Sequence, residues 1–101
     1  MAKKLILTQQ AQQDLDEAYH WYQEQSQGLG KEFTRCVDAK LATVFRNPLH
    51  HQIIFKEAVR RALTDRFPFS IYFVDEEDAV VIFAILHQRR NPEVWQDRRE
   101  T

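Results

Sequence analysis

The chain has 101 residues, of which 44% are hydrophobic and 29% charged, and its formal net charge is −1. This composition is that of an ordinary globular protein and excludes an intrinsically disordered chain. A general nucleic-acid-binding protein usually carries a stronger positive balance, so the charge argues against that class. We expect one domain over residues 1–101.

We expect a cytoplasmic protein without membrane association. No apolar run approaches the ~20 residues of a membrane span, and MAKKLILTQQ lacks the apolar core of a signal peptide. Cys36 is the single cysteine, so no internal disulfide can form, which fits a reducing compartment.

The chain opens with a short predicted strand and an amphipathic helix. Residues 3–7, KKLIL, are typical of an edge or second-layer strand. Thr8 is a suitable N-cap for a helix that extends to residue 25. Gly28 fits the left-handed position that often follows a helix. Apolar residues recur at helical spacing between these limits: Ala11, Leu15, Ala18, Tyr19 and Tyr22.

A second amphipathic helix is predicted over residues 31–46. Asn47-Pro48 ends it, because the residue before a proline is pushed away from helical angles. Two amphipathic helices joined by a glycine turn form a hairpin that can cover one face of a sheet. The apolar stripe of the second helix consists of Phe33, Val37, Leu41, Val44 and Phe45.

Three strands are predicted in the second half of the chain. The first opens at residues 53–55 and continues over 59–64, the second covers 69–74 and the third 79–86. The third is apolar on both faces, as expected of a central strand. The element order β-α-α-β-β-β predicts an α+β domain, with the helical hairpin packed on a twisted antiparallel sheet. A polar tail follows.

Arginine side chains gather around the predicted strand layer. Arg60 and Arg61 are neighbours in one strand, so they point to opposite faces. Arg66 precedes the second predicted strand, and Arg89 and Arg90 follow the third. Guanidinium groups suit the recognition of phosphate or carboxylate, while ion pairing with acidic neighbours at the surface is the alternative.

Two further side chains have open roles. His87 lies where the apolar strand gives way to polar sequence, and it acts either as an acid–base group or as a cap of backbone groups. Trp95 either docks on the core or contacts a partner. The histidines have no metal-ligand spacing, and there is no phosphate-binding glycine loop and no nucleophile elbow. We therefore expect no metal and no cofactor.

Nearly the whole chain resembles the RelE/ParE superfamily of bacterial toxins from type II toxin–antitoxin systems. The resemblance is carried by AQQDLDEAYHWYQEQSQGLGKEF, the following NP turn, VRRALTDRFPFSIYF and AILHQRRNPEVWQDR, in this order. The chain looks most like the ParE-type and plasmid-stabilisation branches. The resemblance implies a helical hairpin against a twisted antiparallel sheet, and a cognate antitoxin that wraps the toxin and hides its working surface.

The resemblance leaves two activities open. ParE-type members are associated with inhibition of DNA gyrase, and RelE-type members with metal-independent cleavage of mRNA in the ribosomal A site. Cleavage would use Arg61 and Arg89 to hold phosphate charge and His87 for acid–base chemistry. Trp95 stands where RelE-type ribonucleases often carry a tyrosine, and an indole cannot usefully exchange a proton.

We therefore expect a toxin that inhibits a protein target, DNA gyrase, without catalysis. The ribosome-dependent ribonuclease is the alternative, and a module that binds its antitoxin but has lost toxicity is the third hypothesis. The fold also allows a homodimer, to which Trp21 or Tyr22 would contribute. The residues expected to contact the partner or target are Arg60, Arg66, Arg90, Trp95 and Arg98.

Overall fold

Residues 3–100, which the computed structural model describes, form five strands and three helices. A short 3-10 turn at Pro48–His50 follows the second helix. The α+β class and the paired helices are confirmed. In chain order the elements are β1 (Lys4–Leu7), α1 (Gln9–Gln25), α2 (Leu29–Arg46), β2 (Ile53–Phe55), β3 (Val59–Leu63), β4 (Phe69–Asp75), β5 (Ala79–His87) and α3 (Glu93–Glu100).

Three residues shape the helical hairpin. Thr8 caps α1, since its hydroxyl oxygen accepts a hydrogen bond from the Ala11 amide at 3.1 Å. Gly28 takes the left-handed conformation with φ of 90°, as predicted. Gly30 lies inside the first turn of α2, where a Cβ atom would stand 2.7 Å from the backbone oxygen of Tyr19. The two helices therefore approach closely at their junction.

The sheet has the strand order β1-β5-β4-β3-β2. The central position predicted for the strand at residues 79–86 is confirmed, since β5 lies between β1 and β4. All neighbours pair antiparallel except β1, which runs parallel to β5. The predicted antiparallel sheet is confirmed for β2 to β5, and β1 adds one parallel pair at its edge. The partner of β1 comes at the far end of the chain, so the local sequence contains no information on its direction.

The first predicted strand in the second half is in fact a β-hairpin. Lys56 and Glu57 both have positive φ, 49° and 58°, and the Ala58 amide donates to the Phe55 carbonyl at 3.1 Å. Two left-handed residues closed in this way form the tight turn that joins β2 to β3. The turn was missed because it lacks the glycine and asparagine that usually supply positive φ.

The two sheet faces carry separate apolar cores. The hairpin face, covered by α1 and α2, includes Ala62, Ile71, Phe73, Val80 and Ile82. The α3 face, covered by the C-terminal helix, includes Val59, Tyr72, Val74, Phe83 and Leu86.

The helix α3 replaces the polar tail expected from the sequence. Its start carries a recognisable signal, because the Asn91 side chain accepts from the Glu93 amide at 2.9 Å and Pro92 precedes the helix. Trp95 anchors it, 5% exposed and stacked on Tyr72 with ring centroids 4.7 Å apart. The sequence did not predict α3, because its apolar residues, Val94 and Trp95, are too few to show a helical period.

Candidate functional site: a cationic sheet end beside an apolar groove

Four cationic or titratable side chains meet at one end of the sheet. The turn between β3 and β4 and the C-terminal end of β5 lie together there, because Phe69 pairs with His87 and the Gln88 amide donates to the Pro68 carbonyl at 2.8 Å. We call this region the arginine end; its members are Arg66, His87, Arg89 and Arg90. All four are exposed.

Arg66 is held at this end by the turn that precedes β4. It has a positive φ of 64°, and its guanidinium lies 3.4 Å from the Glu32 carboxylate. The guanidinium also lies over the Phe67 ring, 5.4 Å from its centroid. Because this ion pair is largely exposed, it contributes at most about 1 kcal/mol and leaves the guanidinium accessible.

His87 is exposed and has one ring nitrogen engaged in a hydrogen bond. Its Nδ1 accepts a hydrogen bond from the Arg89 backbone amide at 3.0 Å, and its ring contacts Phe69 edge-on at 5.6 Å. In the neutral imidazole the proton therefore sits on Nε2. The backbone-capping role that the sequence offered as an alternative is what this geometry provides.

The structure separates Arg61 from His87. Residues paired across neighbouring strands share a sheet face. Arg61 pairs with Tyr72 and Tyr72 with Ala84, so Arg61 projects from the α3 face. His87 pairs with Phe69 of the hairpin face. The three side chains suggested for RNA cleavage, Arg61, His87 and Arg89, are therefore not brought together on one face of the sheet.

Three of the expected contact residues are engaged within the protein. The Arg60 guanidinium donates to the His51 carbonyl at 2.6 Å. Trp95 is buried between α3 and the sheet, so its indole ring is not presented to a partner. Arg98 is 15% exposed and pairs with Asp14 at 2.6 Å. Of the contact residues expected from the sequence, Arg66 and Arg90 belong to the exposed arginine end.

Asp14 connects three elements, a role that the sequence analysis did not assign. Its carboxylate accepts from the Ile85 amide at 3.0 Å and from both terminal nitrogens of Arg98 at 2.6 and 3.1 Å. Arg98 also donates to the Phe83 carbonyl at 3.1 Å. The position of Asp14 was informative, because it follows Ala11 by three residues and so shares the apolar face of α1. An acid on a buried stripe needs a partner.

An apolar groove of about 540 Å³ lies next to the arginine end, between α1 and β5. Its helix side includes Ala18, Trp21 and Tyr22, and Trp21 is 56% exposed. Burial raises the pKa of the Tyr22 phenol above its ordinary value, so this side chain remains neutral. The remaining lining comes from Asp14, Glu17, Pro68, Phe69, Ile85, Leu86, His87 and Arg90.

His51 lies outside the groove in an unusual electrostatic setting. Its Nε2 is buried without a hydrogen-bond partner, and its ring meets Phe73 edge-on at 5.7 Å. Burial lowers the pKa of His51, and the nearby charges of Lys40, His50 and Arg60 lower this pKa further. The folded protein therefore holds this imidazole neutral at pH values where the unfolded chain protonates it.

We expect acid to destabilise the fold through His51. The unfolded chain binds this proton near pH 6.5, and the folded protein binds it only at lower pH. The free energy of unfolding therefore falls from about pH 6.5 down to the folded pKa. Urea titrations at about pH 7.5 and about pH 5 should show a smaller loss for His51→Gln than for the unmodified chain. An identical loss in both proteins would contradict this; His20→Gln, on exposed α1 surface, is the control.

Within residues 3–100, no group of three or more His, Cys, Asp and Glu side chains is arranged to hold a metal ion. Over the same residues, no helix has the length and apolar character needed to cross a membrane.

Comparison with known proteins identifies the family. The sequence model of the family described as "ParE toxin of type II toxin-antitoxin system, parDE" matches residues 5–92. The chain belongs to the ParE toxin family. Among solved structures, this ParE-family chain is similar to one from the chromosomal ParDE toxin–antitoxin system of P. aeruginosa. That likeness has a TM-score of 0.77 at 19% identity, over 84% of this chain and 95% of that one, and it supports the shared fold. No curated protein matches the ParE-family sequence significantly.

Proposed function

We propose that this chain is a toxin that binds and inhibits DNA gyrase in the cytoplasm, and that a cognate antitoxin neutralises it. The observation that carries the proposal is the family match over residues 5–92. ParE-type toxins are associated with gyrase inhibition, and the match covers the elements that build the arginine end. Family membership also implies an antitoxin partner.

Inhibition by binding suits the arrangement of the side chains better than RNA cleavage does. Cleavage through a 2′-hydroxyl needs a base, an acid and cations around one phosphate. Arg61 and His87 project from opposite faces of the sheet, and Trp95 is buried. A binding surface needs no such convergence, only complementary shape and charge.

The proposed contact surface consists of the three arginines of the arginine end. Arg66, Arg89 and Arg90 are exposed on turns at one end of the sheet, a placement typical of binding residues. Guanidinium groups there can pair with carboxylates of a protein target in a planar, directional way. We propose that these arginines make the charged part of the contact with gyrase.

A supercoiling assay with purified gyrase tests the proposal. We expect the protein to block supercoiling, and Arg90→Glu to raise the half-inhibitory concentration about tenfold or more, through the loss of one charged contact. Arg46→Glu is the matched control, because it makes the same charge change on an exposed residue at the distant end of α2. Equal effects of the two substitutions would show that the arginine end does not contact gyrase.

Pulse labelling in cells separates the proposal from its alternatives. We expect DNA synthesis to stop while protein synthesis initially continues, and His87→Ala to change toxicity little. An early collapse of translation that requires His87 would instead establish the ribonuclease. Normal growth at high expression of the folded protein would indicate a module that only binds its antitoxin.

A further inference from the structure

The chain between the end of α2 and the start of β3 contains no buried residue. From Phe45 to Ala58 every residue is exposed or half-buried, and the buried residues on either side are Val44 and Val59. We call residues 47–53, which include the 3-10 turn and the first residue of β2, the β2 arm. Segments with few buried contacts open at a low cost in free energy, so the closed position of this arm depends on the few contacts that it makes.

The chain is anchored independently at both ends of the β2 arm. Val44 is buried in the core on the hairpin face. Ile54 and Phe55 pack against the core on the α3 face, where the Phe55 ring meets Trp95 edge-on at 5.4 Å. The arm therefore lies between two fixed points and can separate from the sheet while both cores stay packed.

His51 connects the β2 arm to two strands. Its ring meets the buried Phe73 of β4 edge-on at 5.7 Å, and its backbone carbonyl accepts from the Arg60 guanidinium of β3 at 2.6 Å. At the next residue, the Gln52 carbonyl accepts from the Arg61 amide at 3.2 Å. These contacts hold the arm against the outer edge of β3.

The closed arm does not accommodate a proton on the His51 ring. In the neutral imidazole one ring nitrogen carries a proton, and in the imidazolium both do. The Nε2 atom of His51 is buried and has no hydrogen-bond partner. An imidazolium in this position would therefore leave a charged N–H group without an acceptor, which costs more than a neutral group left in the same way.

The charges around His51 also disfavour the imidazolium. The ionisable groups that face its ring are Lys40 of α2, His50 of the 3-10 turn and Arg60 of β3, and each of them is cationic when charged. From β4 the ring is contacted by the uncharged Phe73. The repulsion between like charges therefore adds to the cost of the missing acceptor.

The acid beside this cluster offers little compensation. Asp65 pairs with Lys40 at 3.8 Å, but the Asp65 side chain is 88% exposed. Water and salt screen the field of such an exposed carboxylate. The positive charge around His51 therefore stays largely unbalanced.

Opening of the β2 arm removes both penalties. In the open arm the His51 ring is in water, where it binds a proton near pH 6.5. The pKa of His51 in the closed protein is lowered, first by burial and then by the three cations, which is the sign that the switch requires. Above pH 6.5 the arm is therefore closed. Below it, each pH unit favours the open form by up to about tenfold, down to the pKa of the closed form.

We propose that His51 is a pH-sensitive switch, and that protonation of its ring detaches residues 47–53 from the sheet while both cores stay folded. Detachment releases the Arg60 guanidinium from the His51 carbonyl and uncovers the outer edge of β3. An uncovered edge presents unpaired N–H and C=O groups to other chains. Acid thus exposes a cationic strand edge that the arm covers at neutral pH. This inference does not depend on the proposed function.

Amide hydrogen exchange, followed by NMR for each residue, tests the switch. The Arg61 amide reports on the arm, because its acceptor is the Gln52 carbonyl. After correction for intrinsic exchange rates, we expect the protection of this amide to fall about tenfold, and by no more than about thirtyfold, between about pH 7.5 and about pH 5. Constant protection of Arg61 over this range would refute the switch.

Urea separates opening of the arm from unfolding of the whole protein. Local opening exposes little surface, so at about pH 5 we expect about 1 M urea to change Arg61 exchange less than about twofold. Amides in the middle of β5, which exchange through global unfolding, should accelerate about tenfold or more. Equal acceleration of Arg61 and the β5 amides would show that the protein unfolds as a whole and would overturn the inference.

Two histidine variants assign the effect to His51. His51→Gln keeps a polar side chain that does not titrate, and we expect it to abolish the pH dependence of Arg61 protection. His20→Gln is the control, because His20 is exposed on α1, and the pH dependence should persist there. A fall in protection that persists in His51→Gln would exclude His51 as the switch.

A lysine pair tests the electrostatic argument with the His51 ring in place. Lys40→Met removes one of the facing cations, so the closed protein should accept the proton at higher pH and Arg61 protection should fall less. Lys31→Met is the control, because Lys31 is exposed in the first turn of the same helix. Equal falls in the two variants would contradict the proposed repulsion.

Discussion

Trp95→Ala is expected to lower the free energy of unfolding by about 3–5 kcal/mol, the range for removal of a large buried aromatic side chain. The indole is 5% exposed, stacks on Tyr72 with centroids 4.7 Å apart and meets Phe55 edge-on at 5.4 Å. The cavity would open between α3 and the sheet. Because α3 has few other apolar residues, we also expect it to leave the sheet and become sensitive to proteases.

Urea unfolding followed by circular dichroism measures this effect. Trp21→Ala is the matched control, since it makes the same chemical change at a position that is 56% exposed. We expect that variant to lose less than about 1 kcal/mol. A loss for Trp95→Ala as small as the one expected for the control would show that the core on the α3 face contributes little stability.

Asp14→Ala is expected to destabilise the fold by about 3 kcal/mol, the lower end of the range for breaking a buried ion pair from one side. The substitution removes the carboxylate that accepts from the Arg98 guanidinium and from the Ile85 amide. The low end applies because Arg98 remains 15% exposed and keeps its bond to the Phe83 carbonyl.

Asp16→Ala is the control on the same helix, since Asp16 is exposed and accepts one hydrogen bond from Gln12 at 3.2 Å. We expect that control to change stability by less than about 0.5 kcal/mol. The double variant Asp14→Leu with Arg98→Met should recover part of the loss, because no buried charge is then left unpaired. If the double variant loses as much stability as Asp14→Leu and Arg98→Met together, each measured alone, the two side chains do not interact.

These two predictions both concern the attachment of α3 to the rest of the protein. Trp95 packs α3 against one face of the sheet, and Arg98 of the same helix pairs with Asp14 on α1. The groove thus depends on the C-terminal helix. Loss of α3 should therefore affect the groove, even though none of the groove-lining residues belongs to α3.

The sequence by itself determined the type of most elements, because their signals are local. Thr8 as a cap, Gly28 in the left-handed region and Pro48 after α2 all act within a few residues, and apolar periodicity identifies the faces of α1 and α2. The order of the motifs along the chain was enough to identify the family. The turn at Lys56–Glu57 was missed because it contains no glycine or asparagine, and α3 was missed because its few apolar residues show no helical periodicity.

Only the tertiary structure decided which functional side chains share a surface. The separation of Arg61 from His87 follows from strand register, the burial of Trp95 from the docking of α3, and the partner of Asp14 from a helix far away in sequence. Register, docking and pairing depend on contacts between distant segments, and these contacts are selected by the packing of the whole core rather than by neighbouring residues.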